Sequence, residues 1–405
     1  MNRSIKLAGL VTSVSLAAVV AGALVAAQQR PDLASASGEA KPIDSVTAPA
    51  SPTPSTKPSA PPGTPNPTAT PTKPPTSSTS TPVVPAKLTL DLGKLQQGAA
   101  PKSPYVAGRT VHSGGSKFTL PASDGTVQNV VRAGSNTTLV QHNPKDDGRT
   151  VLTVWKGATR GKTVSDVSSV LSSADRSTSA YTVQPTTADG KELSNFTVTW
   201  RHNSSGEEMS LQRTGENSPI VHAVIGSEVY FSALSKSYKQ TLYVWTAGAD
   251  KPRAINSVPT PSAVSSDGRI AASIASQVDD GSCSNLVDLK SGGKRWGTCE
   301  YALDELPSDG DLVLAGPAYR DGYGDGFFAA LDVKNGKLVR QWSGASNVTI
   351  MSTVMEDADH ILVRAEQGNQ TAIVRCAPKT GTCELAAPLR NGAGHENNSP
   401  YELGH

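Results

Sequence analysis

The spacing of the four cysteines gives the clearest chemical prediction. Cys283 and Cys299 are placed symmetrically about the turn "SGG", and Cys376 and Cys383 about the turn "PKTG". Residues equidistant from a hairpin turn face each other across two strands, within reach of a disulfide. We therefore predict two disulfides, 283–299 and 376–383. A four-cysteine zinc site is the alternative, but the spacing of these cysteines matches no common zinc pattern.

The segment "DGYGDGFFAALD", from Asp321 to Asp332, has the best pattern of metal ligands. Aspartate stands at its first and fifth positions and glycine follows Asp325, as in a calcium-binding loop. The third position is a tyrosine, however, and the last is an aspartate where such loops have glutamate. The other repeats carry a plain turn here, so we favour a structural turn and keep Asp321, Asp325 and Asp332 as weak calcium candidates.

No other group of residues predicts a reaction. Motifs for a nucleophilic serine, a phosphate-binding loop, a zinc protease helix or paired catalytic carboxylates do not occur. With 37 basic and 35 acidic residues and no basic run, the charge pattern gives no support for nucleic-acid binding. We predict no cofactor and name no catalytic residue, and a non-enzymatic protein is favoured. The five histidines of residues 104–391 share no register that would cluster them: His112, His142, His202, His222 and His360.

The cysteines and the candidate metal ligands lie in or just before copies of a short hairpin that recurs seven times in the sequence. Each copy has a strand of apolar and β-branched residues, such as "VLTVW" or "AALDV", and then a glycine of the kind that tight turns need. A strand-only repeat of this size, with room for four strands, is typical of a β-propeller. The ends of the first strands recur every 43 to 45 residues, at His112, Trp155, Trp200, Trp245, Leu289, Val333 and Cys376.

We therefore predict an all-β fold with a single β-propeller at residues 87–391. Seven blades are favoured over six complete units and a partial one. The segment "KLTLDL" at residues 87–92 is expected to be a strand that completes a blade. The runs "RIAAS" and "DLVLAG", which follow Ser-Asp-Gly turns, are expected to be innermost strands. Residues 392–405 are polar and are predicted to be a disordered tail.

The N-terminal part has a different composition. Residues 1–30 contain an uncharged, Ala- and Val-rich run at 7–27 after Arg3 and Lys6, which indicates a signal-anchor helix or a signal peptide cleaved near Ala27. Residues 31–86 are rich in Pro, Ser and Thr and are predicted to be a disordered stalk, because they cannot bury enough apolar surface to fold. We expect an extracytoplasmic protein that is anchored to the cytoplasmic membrane, or secreted if the segment is cleaved.

The hairpins resemble those of known propeller repeats. "LTVWKGATRGK" and "LYVWTAGADK" resemble WD-repeat strands, without the Gly-His and Trp-Asp dipeptides. "AALDVKNGKLVRQW" and "LVDLKSGGKRW" are similar to quinoprotein-like repeats, and "SSDGRIAAS" is similar to the Ser-Pro-Asp-Gly strands of TolB-like propellers. The resemblance covers residues 104–391 and implies a fold. It implies no quinoprotein activity, since the adjacent cysteines of those dehydrogenases are missing. The whole layout resembles envelope proteins of high-GC Gram-positive bacteria.

Three hypotheses for function follow. The first is a non-enzymatic propeller, expected to be a monomer, that binds a protein or a cell-wall glycan at the envelope. The second is a propeller enzyme (a lyase, hydrolase or dehydrogenase) that acts on extracellular saccharides. The third is an accessory or sensor subunit of a membrane complex, which requires that residues 7–27 are retained.

Overall fold

The computed structural model of the chain describes residues 85–144, 149–187, 190–278, 281–306, 311–320, 322, 324–392 and 399–405. The strands in these residues form seven sheets of four antiparallel strands, one of them extended by a fifth, parallel strand. Each sheet is one blade of a β-propeller, so the prediction of an all-β, seven-bladed fold is confirmed. The predicted N-terminal helix and most of the predicted stalk lie outside the described residues.

Blades two to five are each continuous in the chain, with the first strand innermost and the fourth outermost. Blade two contains β5 (Thr126–Arg132), β6 (Thr137–Asn143), β7 (Val151–Lys156) and β8 (Thr159–Ser165). Blade three contains β9 (Val167–Ser172), β10 (Thr178–Val183), β11 (Asn195–His202) and β12 (Glu208–Thr214). Blade four contains β13 (Glu216–Ile225), β14 (Glu228–Ser235), β15 (Gln240–Thr246) and β16 (Arg253–Pro259). Blade five contains β17 (Pro261–Val264), β18 (Ile270–Val278), β19 (Gly281–Asp288) and β20 (Lys294–Thr298).

The other three blades include the two ends of the propeller. Blade six contains β21 (Tyr301–Glu305), β22 (Leu312–Pro317), β23 (Phe327–Asp332) and β24 (Leu338–Gly344), with β1 (Lys87–Leu90) at its outer edge. Blade seven contains β25 (Val348–Asp357), β26 (His360–Gln367), β27 (Gln370–Cys376) and β28 (Cys383–Asn391). Blade one contains β29 (Tyr401–Leu403), β2 (Tyr105–Ala107), β3 (Thr110–Ser113) and β4 (Ser116–Thr119). Two 3₁₀ turns lie at Leu92–Lys94 and Ala122–Asp124.

The ring closes in blade one, and the structure corrects three expectations, one of them in this blade. β29 supplies the first strand of blade one, so the prediction of a disordered tail is wrong for residues 399–405. β1 is a strand, as expected, but it pairs in parallel with β24 on blade six and does not close the ring. The runs "RIAAS" and "DLVLAG" form β18 and β22, which are second strands, because a further short strand precedes each of them.

The alternation of strand direction sorts the loops onto two faces of the ring. Loops between the second and third strands, and between a fourth strand and the next blade, lie on what we call the upper face. Loops between the first and second strands, and between the third and fourth, lie on the lower face. The recurring hairpins join third and fourth strands, so their glycine turns lie on the lower face. Gly292 and Gly336, for example, each have a φ of 71° in such turns.

The apolar core is divided into seven clusters, and each cluster fills the space between two neighbouring blades. Successive residues of a strand point to opposite faces of its sheet, and both faces of each blade pack against a neighbour. This explains the continuous apolar runs of the third strands. Trp200 and Trp296 also bind the next blade, since their indole N–H groups donate to the carbonyls of Gly226 (2.8 Å) and Val333 (2.9 Å).

Candidate functional site

The loops of the upper face carry the exposed large apolar side chains of the described residues. These are Leu193 in blade three, Tyr238 in blade four and Tyr319 in blade six, with 38, 57 and 58% of their surface exposed. Each lies in the loop between the second and third strands of its blade. Exposed tyrosines are frequent at protein interfaces, because they bury a large area and keep a polar group for hydrogen bonding.

The loop of blade three that presents Leu193 is anchored at several points. Gln184 donates its side-chain amide to the Leu193 carbonyl (2.6 Å) and accepts the backbone N–H of Ser218 on the first strand of blade four (3.0 Å). The Ser218 hydroxyl donates to the Glu192 carboxylate at 2.7 Å. These bonds fasten the loop backbone next to Leu193 to blades three and four, and this backbone presents the apolar side chain at the surface.

Tyr238 and Tyr319 are presented in two different ways. Tyr238 has a φ of 58°, a left-handed conformation that costs about 1–2 kcal/mol for a residue other than glycine. Its N–H donates to the Ser235 carbonyl at 2.9 Å, which closes the tight turn. Tyr319 precedes Arg320, whose guanidinium forms ion pairs with Asp304 (2.6 Å) and Asp325 (3.4 Å) and so ties the loop to blade six.

The two described calcium candidates, Asp325 and Asp332, lie on opposite faces of the ring. Asp325 lies on the upper face, and Asp332 begins a hairpin turn on the lower face, where its carboxylate accepts the N–H groups of Lys334 (2.8 Å) and Asn335 (3.2 Å). Gly326 and five residues of β23 separate them, which corresponds to roughly 20 Å. Asp325 and Asp332 therefore cannot bind one ion. Asp321 lies outside the described residues.

The structure joins the four cysteines in the pairs that the turn symmetry predicts. Cys376 faces Cys383 in the ladder between β27 and β28, and these two residues form a disulfide. Cys283 and Cys299 form the second disulfide, across the ladder between β19 and β20. Disulfides form and persist in oxidising compartments, and these two are consistent with an extracytoplasmic location.

Glu305 is a carboxyl group in an unusual environment. It ends β21, one of the first strands that surround the central channel, and its carboxylate accepts the backbone N–H of Met355 in the next blade at 2.8 Å. Burial raises the pKa of Glu305 from 4.5 to about 7, and the charge of the neighbouring Asp304 adds to this effect. A group with this pKa can donate and accept protons near neutral pH.

His222 lies on another first strand of the channel wall, in blade four. One of its ring nitrogens is 2.8 Å from the Ser232 hydroxyl, and the backbone of Ser262 in blade five also contacts the ring. Burial lowers the pKa of His222 from 6.5 to about 4, so the ring is neutral at physiological pH. The channel wall thus contains a neutral histidine and a carboxyl group that is half ionised near pH 7.

His142 holds a loop of the upper face in place. Its two ring nitrogens are 2.8 Å from the Asp124 carbonyl and 2.9 Å from the Thr153 hydroxyl. The Asp124 carboxylate also pairs with Arg160 at 2.7 Å. All polar atoms of the ring are used inside the blade, which gives His142 a structural role.

A group of possible metal ligands occurs in blade seven, at Glu356, Asp357 and His360. The protein already neutralises these carboxylates. Arg375 binds both oxygens of Glu356, and Lys102 binds Asp357 at 2.7 Å. His360 is 2.7 Å from the same aspartate. Two cations occupy the places that an ion would need, so the group is an ion-pair network that fastens residue 102 to blade seven.

Sequence reasoning missed the exposed tyrosines and Glu305 for different reasons. An exposed tyrosine and a buried one look the same in a sequence, and only the ring topology puts the loops of separate blades on one face. Glu305 follows Asp304 in an ordinary strand pattern, and its environment depends on a backbone N–H some fifty residues away, in the next blade.

Among the described residues, no helix has the length and apolar character needed to cross a membrane. No family model matches the sequence, and no curated protein matches it. Solved structures with a similar fold include a prolyl endopeptidase, from a study of the role of inter-domain dynamics in catalysis and specificity. It is 12% identical with a TM-score of 0.40, and the match covers 68% of this chain and 51% of that one.

A second similar structure is an uncharacterised protein from Listeria monocytogenes. It is 10% identical with a TM-score of 0.43, and the match covers 74% of this chain and 87% of that one. The present chain spans about half the length of the endopeptidase chain. At these identities the likeness concerns the fold alone, and no residue role is transferred from either protein.

Proposed function

We propose that the propeller is a non-enzymatic binding module of the cell envelope that holds a protein partner on its upper face. The observation that carries the proposal is the placement of the exposed Leu193, Tyr238 and Tyr319 on loops of one face. Interfaces are centred on a few aromatic and aliphatic anchors within a polar surround. The anchored loop of blade three supports it, since an anchor that is already ordered loses little entropy on binding.

The extracytoplasmic part of the proposal is supported by the two disulfides and by the N-terminal sequence. A stalk at residues 31–86 would keep the propeller away from the membrane and leave a whole face open to a partner. If residues 7–27 are retained, the protein would be an accessory or sensor subunit of a membrane complex, and the same face would bind the other subunits.

Cross-linking in intact cells, followed by affinity measurements with the captured partner, tests this function. The triple variant Leu193→Ser, Tyr238→Ser and Tyr319→Ser is expected to lose the cross-link and to bind at least tenfold more weakly, because truncated anchors typically cost 1–2 kcal/mol or more each. The matched control is Lys290→Ser, an exposed change on a turn of the lower face. If the triple variant cross-links as the wild type does, or if only glycans are captured, the proposed protein interface is wrong.

One observation favours a saccharide-processing enzyme as the second candidate. Glu305 combines a position at the channel wall with a pKa of about 7, and strongly shifted carboxyl groups are frequent at catalytic sites. In this case Glu305 would act as the general acid or base. Release of reducing ends from envelope polysaccharides, and its loss in the Glu305→Gln variant, would move the assignment to this candidate.

A further inference from the structure

A polar cleft of about 420 Å³ opens on the lower face between blades two and three. Its wall is built from glycine and short polar or charged side chains, among them Asn136, Lys156, Arg176, Ser177 and Asn203. No large apolar side chain lines it. Such a wall suits a ligand that is rich in hydroxyl groups and charge, and it lacks the apolar anchors of a protein interface.

Arg176 occupies an unexpected place in this cleft. It closes the turn between the first and second strands of blade three, and its φ is 62°, in the left-handed region. Its backbone N–H donates to the Ser173 carbonyl at 2.8 Å, and its carbonyl accepts the side-chain amide of Asn203 at 2.9 Å. These bonds hold the backbone in a conformation that glycine would adopt without strain.

Blade five shows the same turn with glycine at this position. There the Ser265 hydroxyl donates to Asp267 at 2.7 Å, and Gly268 takes the left-handed place with a φ of 70°. In blade three the Ser173 hydroxyl donates to Asp175 at 2.6 Å, and Arg176 takes the place of the glycine. The turn therefore does not need the arginine. A strained residue that the fold does not require points to a role for its side chain.

The guanidinium of Arg176 lies in an excess of positive charge. Partial burial lowers the pKa of Arg176, and the positive charge of Arg132 in blade two adds to this effect. The Nε atom of Arg132 is buried without a hydrogen-bond partner among the described residues, although Arg132 itself does not line the cleft. Lys156 is the second cation of the cleft wall, beside Arg176. The carboxylate at the cleft is Asp175, which already accepts bonds from the hydroxyl groups of Ser173 and Ser177.

We propose that this cleft is an anion site that binds the phosphate group of a phosphorylated saccharide. Arg176 and Lys156 would bind the phosphate oxygens, and guanidinium groups suit this geometry because they donate in a planar fork. The side-chain amide of Asn136 would bind the sugar, and the Ser177 hydroxyl, which donates its proton to Asp175, would accept a hydrogen bond from it. The site lies on the face opposite to the proposed protein interface and does not depend on that proposal.

Isothermal titration calorimetry of the full-length chain tests the site with three probes: inorganic phosphate, glucose 6-phosphate and glucose. We expect binding of both phosphates, tighter binding of the sugar phosphate, and no binding of glucose alone. Equal affinity for inorganic phosphate and glucose 6-phosphate would show that the cleft does not recognise the sugar. The proposal of a saccharide ligand would then be wrong, and the cleft would be a site for free phosphate. No heat of binding from any probe at roughly 10 mM would overturn the site altogether, since weaker affinities correspond to single nonspecific contacts.

The variant Arg176→Gly separates a binding role from a structural one. We expect it to weaken the affinity for glucose 6-phosphate at least tenfold and to leave the melting temperature equal or higher, since glycine removes the strain. Lys156→Gln should weaken it severalfold. The matched control is Arg253→Gln, which removes one exposed positive charge from the outer strand of blade four and should leave the affinity unchanged. If Arg176→Gly binds as tightly as the wild type, or is less stable, the proposed role of Arg176 is wrong.

Discussion

The variant Glu305→Gln tests the electrostatics of the channel wall. The folded state raises the pKa of Glu305 from 4.5 to about 7, so the folded protein binds this proton more tightly than the unfolded chain does. The contribution of Glu305 to stability is therefore greatest below pH 4.5 and is lost as the pH rises to about 7. At 1.36 kcal/mol for each pKa unit, the loss amounts to about 3 kcal/mol.

Glutamine at position 305 replaces the titrating carboxyl group with an amide that does not ionise, and it has nearly the same shape. Its side-chain carbonyl can still accept the N–H of Met355, which Glu305 binds at 2.8 Å. We expect the variant and the wild type to have similar unfolding free energies at pH 4. At pH 8 the variant should be more stable by about 3 kcal/mol, because the wild type must then hold an ionised carboxylate in the channel wall.

Urea unfolding of both proteins at pH 4, 6 and 8, followed by tryptophan fluorescence, measures the difference. Comparing the two proteins at each pH is necessary because His222 titrates in the opposite sense: burial lowers its pKa to about 4, so its contribution is lost as the pH falls below 6.5. Glu300→Gln, an exposed change in the connection that leads into the same blade, is the control and should give no pH-dependent difference. The reasoning is refuted if Glu305→Gln changes stability equally at pH 4 and pH 8.

Two further predictions concern the closure of the ring and its covalent links. Tyr401, in the strand that closes blade one, is 1% exposed and donates its hydroxyl to the Pro388 carbonyl at 2.8 Å. Tyr401→Ala should therefore cost about 3–5 kcal/mol and Tyr401→Phe about 1 kcal/mol in urea unfolding, and equal costs would contradict this account of the closure. Replacing Cys283 and Cys299 by serine should cost about 3 kcal/mol, and replacing Cys376 and Cys383 slightly less, because the second loop is shorter. Calorimetry under non-reducing conditions checks this, and the opposite order would show that loop length does not decide the effect.

The sequence predicts the blades well because each blade is a local unit. Its hairpins join residues that are close in the chain, so turn glycines, β-branched strands and the positions of the cysteines all follow local rules. For the same reason the disulfide pairs could be read from the turns alone. The corresponding turn of blade three was not recognised from the Ser-Asp-Gly pattern, because Arg176 occupies the position of the glycine.

Two of the errors concern pairings between distant segments. β29 and β2 are neighbours in blade one, although almost the whole propeller sequence lies between them. β1 pairs with blade six, although it precedes blade one in the chain. The sequences of the C-terminal tail and of β1 do not specify the strand with which each will pair. The unpaired edges of several blades present the same backbone N–H and C=O groups. Asp325 and Asp332, which the sequence offered as weak calcium candidates beside the favoured structural turn, lie apart because β23 runs between them.

By itself the sequence determined the fold class, the number of blades, the two disulfides and the change of composition at the start of the propeller. Each of these depends on residues within one repeat or one segment. Only the tertiary structure decided how the ring closes, which loops share a face, and which charged groups lose their solvent. Those properties arise where neighbouring blades meet, and the residues that meet there, such as Glu305 and Met355 or Arg132 and Arg176, come from different repeats whose contact no local pattern records.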